Sequence, residues 1–126
     1  MTSEPTPDDD VAARFKSNEP EPDDYVRLDG EELKALLIGA EVRHPRGMPH
    51  ARQEFFDTNG IRRVFSGYKW LRHRYVIVGD ALCVERPSGW RCRRFYRHRE
   101  GVVFQVREEA SNQLEPVEIR RVARTL

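Results

Sequence analysis

The sequence predicts a mainly β domain. The expected architecture is a small antiparallel meander barrel or half-barrel of seven to eight strands, with one N-terminal helix and a disordered acidic arm ahead of it. Three observations carry this. The chain is polar, 38% hydrophobic and 34% charged, yet its apolar residues are grouped between Leu28 and Val106. From Glu41 onward they recur with period two, in short runs broken by turn dipeptides such as Asn59-Gly60 and Gly79-Asp80. Sustained helical period occurs in one place, just before those runs, with a short amphipathic turn around Val11–Lys16 as a second candidate. The 126 residues suit one small domain.

Residues 1–24 form the arm and residues 25–126 the domain. The arm holds Pro5, Pro7, Pro20 and Pro22, and its apolar residues are only Val11, Ala12, Ala13 and Phe15. Such a segment buries too little surface to offset the entropy of ordering it. Next comes the helix. Asp29 is placed as N-cap, Glu31 and Glu32 suit the first turn, Leu33, Leu36 and Leu37 make one apolar face, and Gly39 is a natural stop. HPRGMPH (44–50) reads as a loop. The strands follow as ARQEFF, IRRVFS, HRYVIV, LCVE, WRCRRFY, VVFQV and VEIRRV.

The net charge of +1 conceals segregation. Residues 1–32 carry eleven acids against three bases, whereas residues 33–107 carry sixteen bases against six acids. Most of those bases are arginines, which suit planar, bidentate contact with carboxylate or phosphate. No stretch approaches the roughly 18 apolar residues of a membrane span, so no membrane partner is expected. The segment MTSEPTPDDD lacks the basic and apolar regions of a secretory signal, which predicts a cytoplasmic protein with reduced thiols.

A short helix carrying Glu32-Leu33 and Leu36-Leu37 is followed by Phe56 with Gly60, by Tyr75 with Gly79-Asp80 and Leu82-Cys83, and by Trp90, Cys92 and Tyr96. This arrangement resembles small bacterial β-barrel families of unknown function whose members look lipocalin-like. The resemblance covers Leu28 to about Val122. It implies a fold and no activity, and relatives of this type are often exported.

The only cysteines, Cys83 and Cys92, flank one hairpin. If RPSG is its loop, they stand opposite each other, and one face mixes Leu82, Val84 and Phe95 with Arg91, Arg93 and Arg97, a poor core. Shifting the register by one puts Leu82, Val84, Cys92 and Tyr96 on a cleaner apolar face and pairs Glu85 with Arg91. That register predicts reduced cysteines on opposite faces. It also points Arg94 inward, as a ligand-facing charge or the mark of a bulge.

Two candidate sites follow. A barrel pocket would be lined by Phe56, Tyr75, Trp90 and Tyr96 with Arg94 as its charge, although in a barrel this small the aromatics more simply fill the interior outright. A basic outer face would be formed by Arg72, Arg74, Arg91, Arg93 and Arg97, joined by Arg62 or Arg63, with Phe95 interleaved, and could hold a nucleic-acid backbone. The acidic arm could compete for that face. His44, His50, His73 and His98 make no metal-ligand spacing, and no nucleophile elbow or phosphate loop occurs. Glu54 with Asp57, and Asp80 with Glu85, are candidate carboxylate pairs more simply read as strand and turn residues. The expectation is a non-enzymatic binding or accessory module for a small apolar or anionic ligand, with no cofactor. A nucleic-acid-binding module and a protein-interaction module are the alternatives.

Overall fold

The computed structural model describes residues 14–15, 23–44, 53–65, 67–110 and 113–121. The reading of residues 1–24 as a disordered arm therefore lies outside the described residues, apart from Arg14, Phe15, Asp23 and Asp24, as does most of the 44–50 loop.

Strand β1 (Tyr25–Arg27) and helix α1 (Gly30–Leu37) precede eight consecutive strands. These are β2 (Ala40–Arg43), β3 (Gln53–Phe56), β4 (Ile61–Phe65), β5 (Trp70–Val78), β6 (Ala81–Arg86), β7 (Gly89–His98), β8 (Val103–Arg107) and β9 (Glu115–Arg121). Each pairs antiparallel with the next. Strand β9 then returns to β2, with Ala40 opposite Arg121 and Arg43 opposite Glu118, so the sheet closes into an eight-stranded up-and-down barrel. Strand β1 is a ninth, attached to the last part of β7 beyond the point where β6 ends. Each of the seven runs predicted as strands contains an observed strand.

The helix forms where its caps predict. The Asp29 carboxylate accepts from the Glu32 backbone N–H, and the Glu32 carboxylate accepts from that of Asp29, a reciprocal capping box. The helix ends ahead of Gly39, whose φ of 81° suits glycine best. It plugs one end of the barrel, where Leu33 and Leu37 are fully buried against Phe56, Tyr75, Leu82 and Phe95. Burying a leucine of this kind contributes roughly 1.5–3 kcal/mol. Close packing extends to the backbone: a Cβ on Gly30 would stand 2.4 Å from the Gly79 carbonyl oxygen in the β5–β6 turn.

The hairpin of β6 and β7 corrects the expected register. Cys83 stands opposite Cys92, Leu82 opposite Arg93 and Val84 opposite Arg91, around a turn in which Arg86 meets Gly89. The cysteines are bonded, with Cα atoms 4.0 Å apart, not reduced on opposite faces. The face that looked like a poor core is the barrel interior. It works because apolar and charged residues are separated along the barrel axis, not mixed. Leu82 and Phe95 lie toward the helix, Arg91 and Arg93 lie toward the open end, and Val84, opposite Arg91, borders both halves.

Arg94 is corrected with the register. It points outward, with its guanidinium 4.4 Å from the Phe15 ring centre and 3.4 Å from Asp80. Cys83, Cys92, Trp90, Ala81 and Val78 form a second apolar cluster on the outside of the wall, and Phe15 packs on it. Arg14 anchors this segment by donating to the Trp90 carbonyl at 2.8 Å and pairing with Glu108 at 3.2 Å. Among the described residues no helix is long and apolar enough to cross a membrane.

Candidate functional site

The end of the barrel opposite the helix holds a cavity of about 260 Å³. Its lining includes five arginines, Arg62, Arg86, Arg91, Arg93 and Arg107, against two glutamates, Glu54 and Glu109. The positions follow from strand alternation. Glu54 shares the inward face of β3 with Phe56, Arg62 that of β4 with Val64, and Arg93 that of β7 with Phe95. Each strand thus carries an apolar residue in its inward row and, one pleat away, a charged one.

Glu54 is the centre of the floor and is 1% exposed. Arg93 grips it with two bonds, Nη1 to Oε1 at 2.8 Å and Nη2 to Oε2 at 2.6 Å. The Nε of Arg62 donates to Oε2 at 2.5 Å, and Nε2 of His44 lies 2.6 Å from Oε1. Because an ionised carboxylate only accepts, His44 must be the donor there. Burial pushes the Glu54 carboxyl upward. Arg93, then His44 and Arg62, more than reverse this and hold it well below the ordinary carboxylate range.

The two guanidiniums respond differently. Burial lowers Arg62 from its ordinary value, only partly offset by Glu54. Arg93 is also opposed by burial, but its bidentate contact with Glu54 raises it. Arg93 Nη1 further donates to Gln105, itself 1% exposed, at 2.8 Å. Arg62 Nη1 donates to Nδ1 of His73 at 3.0 Å, which requires a lone pair on that nitrogen. His73 is accordingly lowered, first by burial and then by Arg62 and Arg86.

Around this floor stands a second tier. Arg107 pairs with Glu115 at 2.6 Å and Glu109 at 3.2 Å, and Arg91 lies 3.7 Å from Glu108. Arg86 is exposed at the lip and has no ion-pair partner among the described residues. A more open depression of about 520 Å³ runs outside the same lip, past Arg72, Arg74 and Glu85. Among the described residues no three His, Cys, Asp or Glu side chains converge as a metal site needs.

The expected sites are redistributed. Of the proposed pocket lining, Phe56 and Tyr75 are inside, edge-to-face at 5.1 Å, and fill the helix half of the barrel. Trp90, Arg94 and Tyr96 alternate with Arg91, Arg93 and Phe95 and face outward. The proposed basic face is split by the barrel wall: Arg91, Arg93 and Phe95 turn inward, Arg72 and Arg74 turn outward, and Arg97 sits at the helix end, 3.8 Å from Glu32. The carboxylate pairs do not form. Glu54 is inside while Asp57 binds Arg63 outside at 2.6 Å, and Asp80 and Glu85 pair with Arg27 and Arg74.

Sequence reasoning missed the role of Glu54, and with it His44, Gln105 and Arg107. A signal was present. An acid two residues before a core phenylalanine in β3, and a base two before a core residue in β4 and again in β7, are opposite charges on one inward face. Comparison of the chain with protein-family models, with curated proteins and with solved structures yields no match.

Proposed function

We propose that the open end of this barrel binds a small anion and that the chain is a non-enzymatic binding module. One observation carries the reading: two buried guanidiniums, Arg62 and Arg93, share the single carboxylate of Glu54 at the cavity floor. A buried charge without a full counter-charge is costly. An anion entering from the mouth would supply it, in reach of Arg86, Arg91 and Arg107 above. The cavity has the space of roughly nine waters at liquid density, which limits the ligand to the size of phosphate, sulfate or a short carboxylic acid.

The lipocalin-like reading draws support from the architecture, an eight-stranded up-and-down barrel open at one end. Of the two ligand chemistries expected, the anionic one fits better, because Phe56, Tyr75, Leu82 and Phe95 fill the apolar half with side chains. A binding role also fits Glu54. Its lone pairs are engaged by four donors, and a carboxyl held so far down is a poor general base at neutral pH. The bonded cysteines favour an oxidising compartment over the cytoplasm, where thiols are normally kept reduced.

Titration calorimetry with inorganic phosphate, sulfate and succinate at low ionic strength tests the proposal. At least one should bind. Arg86→Ala, at an exposed position, should weaken that binding about tenfold, since a hydrogen bond to a charged group contributes roughly 1.5–3 kcal/mol. Absence of heat and of thermal stabilisation with all three anions would overturn it.

A further inference from the structure

Three large apolar side chains left open to solvent gather on one hairpin at the mouth. Phe65, Tyr68 and Trp70, at the join of β4 and β5, are 46%, 83% and 48% exposed. Phe65 stands opposite Trp70, and in the next row Arg63 stands opposite Arg72. These four face outward, because Val64 and Leu71 between them take the inward positions. The tip beyond Phe65 and Trp70 carries Tyr68 and Lys69, with the ammonium 5.9 Å from the tyrosine ring centre. The outer surface is thus graded: aromatics at the end of the hairpin, then a pair of arginines about 7 Å behind them.

We infer that this hairpin tip docks the protein on an anionic lipid bilayer. The grading matches the depth of such a surface. Aromatic rings settle at the boundary between headgroup and acyl chain, roughly 5–10 Å deep, and cations one step back meet the phosphates. The charges agree. Lys69 and Arg72 have no carboxylate partner among the described residues, and Arg63 keeps Asp57 against its own guanidinium at the barrel end of the row. A spanning segment is not needed for contact of this kind.

The ring geometry separates this partner from a single-stranded nucleic acid. Stacked bases need open ring faces in sequence. Here Phe65 meets Trp70 at 68° and Phe55 meets it at 59°, while the Arg63 guanidinium lies 5.4 Å from the Trp70 ring centre. The aromatics form a wedge, not a platform.

The chain has two tryptophans, and Trp90 is 3% exposed, so a change in emission on docking reports Trp70. With vesicles of equimolar phosphatidylcholine and phosphatidylserine, the full chain should co-sediment and its emission should shift to shorter wavelength. Trp70→Phe should abolish that shift and keep the thermal midpoint. Arg72→Glu should weaken binding roughly 30-fold at low salt, the effect of reversing one cation at the surface. The inference fails if the vesicles do not bind, if pure phosphatidylcholine binds equally well, or if a single-stranded oligonucleotide shifts Trp70 emission when vesicles do not.

Discussion

Replacing Glu54 by glutamine removes one charge from the barrel interior and almost no volume. The carboxylate accepts four hydrogen bonds, from Arg93 twice, Arg62 and His44. The amide oxygen can keep the two on one side, but its NH2 then faces donors on the other. Arg62 and Arg93 are left buried together without a carboxylate in contact, with Glu109 and Glu115 acting on Arg93 only from a distance. Removing one partner of a buried pair costs about 3–5 kcal/mol, a large part of the 5–15 kcal/mol by which a typical domain is stable. For a domain of this size that corresponds to a fall of about 12–20 °C in Tm. Differential scanning fluorimetry in a low-salt buffer would measure it. The same substitution raises the unbalanced positive charge at the cavity floor, so phosphate should stabilise Glu54→Gln more than the native chain. A ligand at a hundred times its Kd adds about 2.7 kcal/mol, enough to recover most of the lower figure. A fall in Tm worth less than about 1 kcal/mol, or equal stabilisation of both proteins by phosphate, would refute this account of the cluster.

Other outcomes follow from the same geometry. Reducing the Cys83–Cys92 bond, or replacing both residues by serine, opens a loop with a sequence separation of 9 and should cost roughly 2–3 kcal/mol of unfolding free energy, read as a lower urea midpoint. Stability should decline as pH falls below about 6.5, because His73 is depressed in the folded state and the unfolded chain takes up that proton first. Asparagine at position 73 should remove this part of the slope in urea titrations across pH. A second decline should begin near the ordinary carboxylate value of 4.5, since the unfolded chain protonates Glu54 while the folded barrel still holds it ionised. Gly30→Ala should destabilise by about 1–3 kcal/mol in chemical denaturation, because the new methyl meets the Gly79 carbonyl. Helix propensity alone favours alanine and predicts the opposite sign.

The helix was readable because its signals are local: Asp29 and Glu32 cap each other, and Leu33 and Leu37 repeat on one face. The strands were readable because the turns between them contain residues such as Gly60 and Gly79 that interrupt a period of two. Register and sidedness were not, because they depend on which face of a strand meets which neighbours. Arg91, Arg93 and Phe95 share one face, as parity predicts, but that face is the inner side of the wall and not the outer. The assumption at fault was that an arginine on the same row as Leu82 and Val84 spoils a core. In a barrel the row runs from a plugged end to an open one, so one strand can serve a dry half and a wet half. Glu54 supplies the counter-charge from β3, and the pairing Arg93 makes with it spans 39 residues, a distance that no local pattern reports.

The pairing of β9 with β2 also bears on how the chain reaches this state. Ala40 meets Arg121 across nearly the whole length of the domain, so the last contact to become available is the one that removes both sheet edges. During synthesis, β2 to β8 can pair as a curled sheet while two unpaired borders stay open to other chains. Folding dominated by so distant a contact is slow compared with that of helical domains of the same size. A chain ending before Glu115 would keep the Arg62–Glu54–Arg93 contacts but lose the Glu115 partner of Arg107 and the seal between β2 and β8. It should accumulate as edge-paired aggregates, so for this protein the final strand decides solubility as much as shape.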